Sequence, residues 1–399
     1  MWTPIEEAID AFRKGKMLIV VDDEDRENEG DLVMAAEKVT PEDINFMMKE
    51  GRGLICVPIT QEHAQRLDLF PMTGEEADIS RCNFTISVDS KQGISTGISA
   101  KDRAKTIQSL VDPKSAASDF NRPGHIFPLL ARHGGVLVRA GHTEAAIDLA
   151  RLAGMASAGV ICEIAKDDGE MARRDDLKLF AEKHGLAMIT IKDLIAYRRL
   201  KEKLIQKEVE TDLETEYGPF KIMVYSNSID NSESLLLVKG SVEGKENVLV
   251  RAHSECMTGD VFHSLHCDCG KQLAAAMKMI ADRGEGVILY MRQEGRGIGL
   301  VNKLKAYRLQ KEGLDTVEAN AELGFKADLR DYGIGAQMLK DAGLNTLELL
   351  TNNPQKIVGL EGHGLKVTKR IPLECESGPL SKKYLKTKKD KLGHLLKHV

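Results

Sequence analysis

The sequence lacks the features that mark membrane, secreted and nucleic-acid-binding proteins. No apolar run approaches the roughly 20 residues that a transmembrane helix needs. The first residues, which include Glu6 and Glu7, lack the basic and then apolar pattern of a signal peptide. The net charge is −5, and aromatic residues make up only 5% of the chain, whereas a nucleic-acid-binding protein usually carries a basic surplus. We therefore predict a cytoplasmic protein that binds neither a membrane nor nucleic acid.

Cysteine is also scarce, and its seven copies form an odd number. Three of them are clustered, at Cys256, Cys267 and Cys269. The other four are scattered through apolar or mixed surroundings, at Cys56, Cys82, Cys162 and Cys375. Scattered cysteines of this kind are typical of reduced thiols in a cytosolic protein. The cluster therefore needs a separate explanation.

The pattern of apolar residues predicts two domains of mixed α/β and α+β class. The chain has 399 residues, and short β-branched runs alternate with helical patterns. The polar segment Tyr197–Gly218 is interpreted as an exposed helix and linker, which gives domains 1–200 and 201–399. The Lys-rich tail from Lys382 is expected to be a solvated end.

Several elements follow from these patterns. Predicted strands cover Met17–Val21, Gly53–Ile59, Phe84–Val88, Gly159–Ile164, Ala187–Ile191, Lys221–Tyr225, Leu235–Val238, Val248–Ala252, Gly286–Met291 and Thr346–Leu350. Predicted helices cover Ile5–Arg13, Asp176–His184, Gly270–Arg283, Ile298–Glu312 and Ala336–Ala342. Each half thus contains both strands and helices.

An acidic run in the N-terminal half follows directly after a predicted strand. It covers Asp22–Asp31, contains the single basic residue Arg26, and ends in a Gly-Asp turn signal. Such a run is often only a solvated face. Its place at the end of a buried strand favours a Mg²⁺ site instead, because Mg²⁺ prefers oxygen ligands.

Two polar clusters with histidines accompany the acidic run. They cover residues 119–125, with His125, and residues 139–145, with Arg139 and His142. A helix that begins near Thr143 beside an arginine is typical of a phosphate site. The two histidines indicate proton transfer and metal binding, although a lone histidine is more often structural.

These motifs, with Asn121–Pro128 and Cys162-Glu163, resemble those of 3,4-dihydroxy-2-butanone 4-phosphate synthase over residues 3–200. The resemblance implies conversion of D-ribulose 5-phosphate to 3,4-dihydroxy-2-butanone 4-phosphate and formate. It also implies Mg²⁺ or Mn²⁺ on Glu27 and His142, and catalytic roles for His125 and Glu163. The implied substrate contacts are Arg26, Glu27, Asp31, Arg139, Ala140, Gly141, His142, Thr143 and Glu163. The stretch Gly74–Asn83 departs from the family pattern.

The clustered cysteines in the C-terminal half predict a zinc site. A single residue separates Cys267 from Cys269, and Cys256 stands eleven positions before Cys267. Three thiolates leave the fourth tetrahedral position open, which is typical of catalytic zinc. A closed zinc ribbon that uses His253 or His266 as the fourth ligand is the alternative.

A glycine-rich turn between a predicted strand and a predicted helix adds a phosphate site. The turn lies within Tyr290–Leu300 and carries Arg292 and Arg296. Backbone N–H groups at such a turn cradle phosphate, and arginines bind it through two donors. The glycine spacing does not match the dinucleotide-binding fingerprint.

These motifs resemble those of GTP cyclohydrolase II over residues 208–397. The matching blocks are Arg251–Asp260, Cys267–Gly270, Arg292–Leu300, Asp315–Asn320 and Leu350–Lys356. The resemblance implies zinc on the three cysteines and hydrolysis of GTP to 2,5-diamino-6-(5-phosphoribosylamino)pyrimidin-4(3H)-one, formate and diphosphate. The implied GTP contacts are Arg251, Ala252, His253, Ser254, Glu255, Gln272, Glu294, Gly295, Arg296, Thr316, Thr351 and Lys356.

The same resemblance assigns three catalytic residues. It implies that Asp328 accepts a proton, that Tyr307 supplies a hydroxyl, and that Arg330 attacks the α-phosphate. A guanidinium is protonated at almost any pH, so an electrostatic clamp on the phosphate is an equal alternative for Arg330.

The whole chain is thus similar to the bifunctional enzymes of riboflavin biosynthesis that join both activities. That family implies a homodimer. One alternative is a chain in which one half is catalytically dead and serves as a scaffold or dimerisation module. A zinc-ribbon nucleic-acid-binding protein is another, and the net charge of −5 disfavours it.

Overall fold

This computed structural model describes residues 2–73, 82–325, 330, 332–375 and 378–396. The chain divides into two compact units, Met1–Lys201 and Glu202–Val399. Each unit is built on its own sheet with both parallel and antiparallel strands. The prediction of two mixed α/β domains is therefore confirmed. Within the described ranges, no helix is long and apolar enough to span a bilayer.

The N-terminal unit contains strands and helices in alternation. Its strands are β1 Leu18–Val21, β2 Gly30–Ala35, β3 Cys56–Ile59, β4 Asn83–Phe84, β5 Val88–Ser90, β6 Phe120–Leu130, β7 Gly159–Glu163 and β8 Ala187–Thr190. Its α-helices are α1 Ile5–Arg13, α2 Pro41–Phe46, α3 Gln61–Arg66, α4 Ala100–Val111, α5 His142–Leu152, α6 Arg174–His184 and α7 Ile191–Lys201. The strand order is β4-β6-β3-β7-β2-β1-β8, and β5 also pairs with β6.

This sheet is covered by apolar side chains on both faces. Along β1, Ile19 and Val21 belong to one hydrophobic cluster, whereas Leu18 and Val20 belong to the other. Successive residues of a strand point to opposite faces, so both faces of β1 lie in core. Helix α5 packs in the second cluster through its small residues, among them Ala146 and Ala150. Its first residue, His142, is thereby fixed at the edge of the core.

The strand predicted over Phe84–Val88 is instead two short strands, β4 and β5. Both pair with β6, at Phe84↔Leu129 and Val88↔Ile126. Phe84 and Val88 are four residues apart, whereas their partners on β6 are only three residues apart. The extra residue interrupts the ladder as a bulge does. The prediction of one continuous strand was wrong for this reason.

The C-terminal unit has a seven-stranded sheet. Its strands are β9 Ile205–Thr215, β10 Gly218–Asn227, β11 Glu233–Lys239, β12 Val248–Ser254, β13 Gly286–Met291, β14 Thr346–Leu350 and β15 Lys366–Ile371. Its α-helices are α8 Met257–Asp260, α9 Cys269–Arg283, α10 Gly299–Lys311, α11 Thr316–Glu322, α12 Gly333–Asp341, α13 Pro354–Glu361 and α14 Pro379–Leu392. The order is β15-β14-β12-β13-β11-β10-β9.

Part of the segment interpreted as a linker is an edge strand. Helix α7 ends at Lys201, but residues 205–215 form β9, which pairs with β10 along its whole length. Five of the eleven side chains of β9 are charged, and most of the strand is exposed. Charges on an edge strand discourage pairing with other chains, so this polar composition is compatible with a strand. The linker interpretation was wrong for these residues.

The parallel part of the second sheet positions the C-terminal site. Strands β12, β13 and β14 run parallel as neighbours, so their carboxyl ends meet at one edge. Ligands bind at this edge in open α/β sheets. The tail was also mispredicted: α14 is not a solvated end, because Leu385 and Lys388 on it are buried.

Candidate functional sites

The acidic run forms the loop of a hairpin between β1 and β2. The carboxylate of Asp22 accepts hydrogen bonds from the backbone N–H groups of Glu27, at 3.1 Å, and Glu29, at 2.8 Å. The Arg26 guanidinium donates to Asp22 at 2.8 Å and also pairs with Glu27. Asp22 is only 2% exposed. The run is therefore a loop folded around a buried carboxylate and not merely a solvated face.

The loop brings together ligands that suit a cation. Asp22, Glu27 and His142 each offer one ligand atom, and these atoms lie within 4.8 Å of one another. Nδ1 of His142 is 4.0 Å from Oε2 of Glu27 and 3.8 Å from Oδ1 of Asp31. The structure thus groups Glu27 with His142, the two expected ligands. It adds Asp22, which sequence reasoning placed in the motif but not among the ligands.

Burial sets the charge state of this cluster. It raises the pKa of Asp31 well above the ordinary value, and the carboxylates of Glu163 and Glu27 add to the effect. Burial lowers the pKa of His142 to about 4, so the imidazole is neutral at neutral pH. Oδ1 of Asp31 and Nε2 of His142 are buried and lack a hydrogen-bonding partner among the described residues. Crowded carboxylates, a neutral imidazole and unsatisfied acceptors fit a hard divalent cation.

The other expected sugar-phosphate residues lie on neighbouring elements. Glu163 ends β7 opposite Asp31 in the ladder, and its carboxylate accepts the backbone N–H of Leu54 at 2.8 Å. Arg139 forms a buried ion pair with Glu144 at 2.7 Å. Ala140, Gly141 and Thr143 surround the start of α5, where Gly141 is the N-cap. A Cβ at Gly141 would lie 2.4 Å from the guanidinium of Arg139, so this side chain packs closely against the backbone at the N-cap.

His125 lies on β6 and is held by a residue of the neighbouring strand β5. Its ring nitrogen Nδ1 is 2.6 Å from Oδ2 of Asp89 on β5, and its backbone N–H donates to the same carboxylate at 2.9 Å. A Cβ at Gly97, which has φ of +94°, would lie 2.3 Å from Asp89. His125 is therefore held by Asp89, whereas Glu27 and His142 belong to the ligand group with Asp22. Asp31 lies next to His142, and Glu163 lies opposite Asp31. Sequence reasoning missed Asp89, since no local pattern connects residues 36 apart.

The three clustered cysteines converge at the end of β12. The Sγ atoms of the three residues lie within 4.8 Å of one another, and those of Cys256 and Cys267 are 3.7 Å apart. A Cβ at Gly259 would lie 2.8 Å from Sγ of Cys267, so only glycine allows α8 this close to the thiols. Three convergent soft sulfur ligands fit zinc.

The histidines considered as a fourth ligand are engaged elsewhere. Nε2 of His253 lies 3.1 Å from Asp260, and its ring stacks on Tyr290. The His266 ring lies against Tyr307, with centroids 5.7 Å apart. Within the described part of the chain, neither histidine joins the three-thiol group. This geometry favours an open fourth position over a closed zinc ribbon.

A buried lysine borders the thiols. Nζ of Lys303 is 3.1 Å from Sγ of Cys256, 2.8 Å from Oε1 of Glu294 and 2.9 Å from Oγ1 of Thr258. The thiols of Cys267 and Cys269, and then this ammonium, lower the pKa of Cys256. Sequence reasoning missed Lys303. The available signal was its position on α10, one turn before Tyr307, which puts both on one helix face.

A pocket of about 1100 Å³, which is open to solvent, lies beside the thiols. Nearly all the expected GTP contacts line it: Arg251, His253, Ser254, Glu255, Gln272, Glu294, Gly295, Arg296, Thr316, Thr351 and Lys356. Tyr307 and Arg330 also line it. Ala252 instead supplies a carbonyl that accepts from Nζ of Lys356 at 2.7 Å. Asp328 lies outside the described residues, as does most of the Gly74–Asn83 stretch.

The pocket concentrates positive charge. Arg251 is buried and donates to Gln272 at 2.6 Å. Burial, with the charges of Arg251, Arg330 and Lys388, lowers the pKa of Lys356 well below its ordinary value. Burial raises the pKa of Tyr307 to about 12, so its hydroxyl is protonated at neutral pH. Such a pocket attracts a polyanion.

Comparisons with known proteins agree with the two sites. Residues 6–197 match the model of the 3,4-dihydroxy-2-butanone 4-phosphate synthase family, and residues 206–372 match that of GTP cyclohydrolase II. The riboflavin biosynthesis protein RibBA of Bacillus mycoides (strain KBAB4) is 60% identical over 396 residues, which are 99% of this chain and all of that protein. The chain belongs to the RibBA family.

A second member of the family and a solved structure extend this finding. RibBA of Bacillus subtilis (strain 168) is 59% identical over 397 residues, which cover 99% of this chain and all of that protein. The crystal structure of RibBX from A. baumannii, a two-domain 3,4-dihydroxy-2-butanone 4-phosphate synthase, is 38% identical with a TM-score of 0.69. The match covers 94% of this chain and all of the RibBX chain. The prediction of a bifunctional lyase and hydrolase of riboflavin biosynthesis is confirmed.

Proposed function

We propose that the two activities reside in the two clusters described above. The N-terminal cluster converts D-ribulose 5-phosphate to 3,4-dihydroxy-2-butanone 4-phosphate and formate, and the C-terminal pocket hydrolyses GTP with release of formate and diphosphate. The observation that carries the proposal is the pairing of each cluster with its own domain: oxygen and imidazole ligands in one, three thiols beside a cationic pocket in the other.

In the N-terminal site, Glu27 and His142 would hold Mg²⁺ or Mn²⁺, with Asp22 beside them. The cation, when bound, stabilises negative charge that develops on a carbonyl oxygen. The neutral imidazole of His142 suits ligation, because its pKa is lowered to about 4. The segment 139–141 leads into the N-terminus of α5, which favours binding of the substrate phosphate.

Proton transfer in this site falls to the remaining carboxylates and His125. Formation of an enediol next to a carbonyl needs a base within reach of the proton. Glu163 and Asp31 face each other across the ladder, and burial, which raises the pKa of Asp31, favours the protonated form of that carboxyl group. Asp89 orients the ring of His125, as carboxylates orient catalytic histidines. We assign Arg26 to the loop, where it keeps Asp22 and Glu27 in place.

In the C-terminal site, Cys256, Cys267 and Cys269 would hold Zn²⁺, which supplies an acidified water when bound. Arg251, Arg296 and Lys356 line the pocket as donors for the triphosphate. Tyr307, protonated at neutral pH, can donate its hydroxyl proton. We assign Arg330 to clamp the phosphate, since its charge adds to that of Lys356 and a guanidinium stays protonated. Asp328 remains the expected proton acceptor.

We further infer a cytoplasmic homodimer. The four cysteines outside the cluster form no disulfide, and burial raises the pKa of Cys162 to about 12, as expected for inert thiols in a reducing compartment. Phe70, Met72 and Ile98 expose more than half of their surface in the N-terminal unit, which offers apolar area for a second copy. Light scattering should then give twice the chain mass of 44.0 kDa.

The test is a formate assay run separately with D-ribulose 5-phosphate and with GTP, and with ATP as the matched control for GTP. We expect formate from the first two and none from ATP, because a site built for the guanine edge leaves polar groups unpaired with adenine. Equal turnover of ATP and GTP would refute the assignment of the base.

A second outcome has a structural precedent. RibBX has two domains and is described as a 3,4-dihydroxy-2-butanone 4-phosphate synthase. Formate from D-ribulose 5-phosphate but not from GTP would therefore mean that the C-terminal half serves as a scaffold.

A further inference from the structure

The C-terminal segment 378–396 contributes to the nucleotide pocket, although none of the motifs that carry the family resemblance lies in it. The match to the cyclohydrolase family model ends at residue 372. Helix α14 and the turn after it nevertheless place Lys388 and His394 in the lining of the pocket. Neither residue belongs to the set implied by the family resemblance.

A buried ion pair fastens α14 to the loop that carries the thiols. Nζ of Lys388 is 2.9 Å from Oδ1 of Asp268, and the two residues are 8% and 4% exposed. Asp268 stands between Cys267 and Cys269, and its other oxygen accepts from Nε2 of Gln272 at 2.6 Å. Separating an ion pair that is buried away from water is costly, because it leaves an uncompensated buried charge.

Two further contacts hold the segment against the pocket. Lys391 pairs with Asp315 and, at 2.9 Å, with Glu318, on either side of Thr316 at the start of α11. The backbone N–H of Leu395 donates to the carbonyl of Asn352, next to Thr351, at 2.8 Å. The buried side chains Leu385 and Leu396 add apolar anchors. The segment therefore touches three elements that carry expected GTP contacts.

His394 stands at the end of this segment, among cations. Its backbone N–H donates to the carbonyl of Lys388 at 3.0 Å, and Gly393 turns the chain with φ of +65°. Burial and then the charges of Lys388, Arg330, Lys356 and Arg296 lower the pKa of His394 to about 3. The ring is therefore a neutral imidazole in a strongly positive setting. Its N–H is a donor suited to an anionic oxygen, and an anion is the partner that these charges favour.

We propose that segment 378–396 forms a substrate-binding wall of the C-terminal pocket, in which the imidazole of His394 donates a hydrogen bond to a phosphate oxygen of the nucleotide. The Lys388–Asp268 pair positions this wall. The inference rests on the proposed hydrolysis of GTP and deepens it. His394 is a binding residue, whereas Lys388 acts through the placement of the segment.

The experiment compares full-length variants in steady-state GTP turnover. We expect His394→Ala to raise KM for GTP roughly tenfold, as for loss of one charge-assisted hydrogen bond, with kcat nearly unchanged. Lys388→Met should raise KM similarly, and Lys388→Arg should restore most of the loss. Lys386→Met is the matched control, because Lys386 lies exposed on the same helix. Circular dichroism and zinc content should remain those of the unaltered chain in all four variants.

Inhibition by inorganic diphosphate tests whether the contact is with phosphate. Its inhibition constant should rise in His394→Ala by the same factor as KM. An unchanged inhibition constant, or an unaltered chain that diphosphate does not inhibit, would overturn the proposal. Unchanged KM in both His394→Ala and Lys388→Met would also overturn it while leaving GTP hydrolysis established. An unaltered chain that releases no formate from GTP would instead refute the proposed function itself.

Discussion

The two ligand clusters of this chain differ in how their charge is balanced. In the N-terminal cluster, carboxylates crowd around His142, and Arg26 is the cation that pairs with them inside the loop. In the C-terminal cluster, the thiols border Lys303 and a pocket lined by arginines and lysines. The first arrangement needs an added cation to offset its negative charge. The second already supplies positive charge for an anionic substrate beside its own ligands.

The largest expected effect concerns the cluster that needs a cation. Glu27→Gln should reduce formate release from D-ribulose 5-phosphate to background, because a neutral amide holds Mg²⁺ poorly. Formate release from GTP should stay unchanged in the same sample. Glu24→Gln is the matched control, since Glu24 lies in the same loop but pairs with Arg174 and is not part of the ligand group. Normal synthase turnover by the Glu27 variant would show that the loop binds no essential metal.

A second prediction probes the positive charge beside the thiols. Lys303→Met should weaken zinc binding about 10- to 100-fold, as loss of a residue adjacent to metal ligands typically does. Competition with a chromogenic chelator measures this affinity without reference to activity. Lys305→Met, an exposed position on the same helix, should bind zinc normally. Equal zinc affinity in both variants would mean that Lys303 does not balance the thiolates.

The smallest expected effect concerns stability. Burial raises the pKa of Asp31, so the folded chain binds more protons than the unfolded chain between the two pKa values. Stability contributed by this group therefore falls as the pH rises through that window. Asp31→Asn should stabilise the N-terminal domain at neutral pH without added Mg²⁺ by ~1–3 kcal/mol, which raises Tm by roughly 2–10 °C.

Calorimetry across pH checks this last effect. The gain in Tm should shrink as the pH falls and Asp31 of the unaltered chain becomes protonated. A lower Tm for the Asn variant at neutral pH would contradict the electrostatic account, since it would mean that the carboxylate stabilises the metal-free fold.

Sequence reasoning succeeded where the relevant residues are close along the chain. The acidic loop and the cysteine cluster were both visible as local motifs, and strand ends placed them at sheet edges. It failed where partners come from distant elements. Asp89 meets His125 only because β5 pairs with β6, and Lys388 meets Asp268 across 120 residues. The polar composition of residues 205–215 was also misleading, because an edge strand with many charged residues resembles a linker.

The central claim is that each half contains its own complete site. Cys267→Ser replaces a thiolate with a hydroxyl that binds zinc weakly, so formate release from GTP should stop while release from D-ribulose 5-phosphate persists. His142→Ala should give the mirror result. Both substrates should be assayed on both variants, with circular dichroism to confirm that each is folded. If a folded, soluble Cys267→Ser chain lost both activities, the account of two independent sites would be wrong.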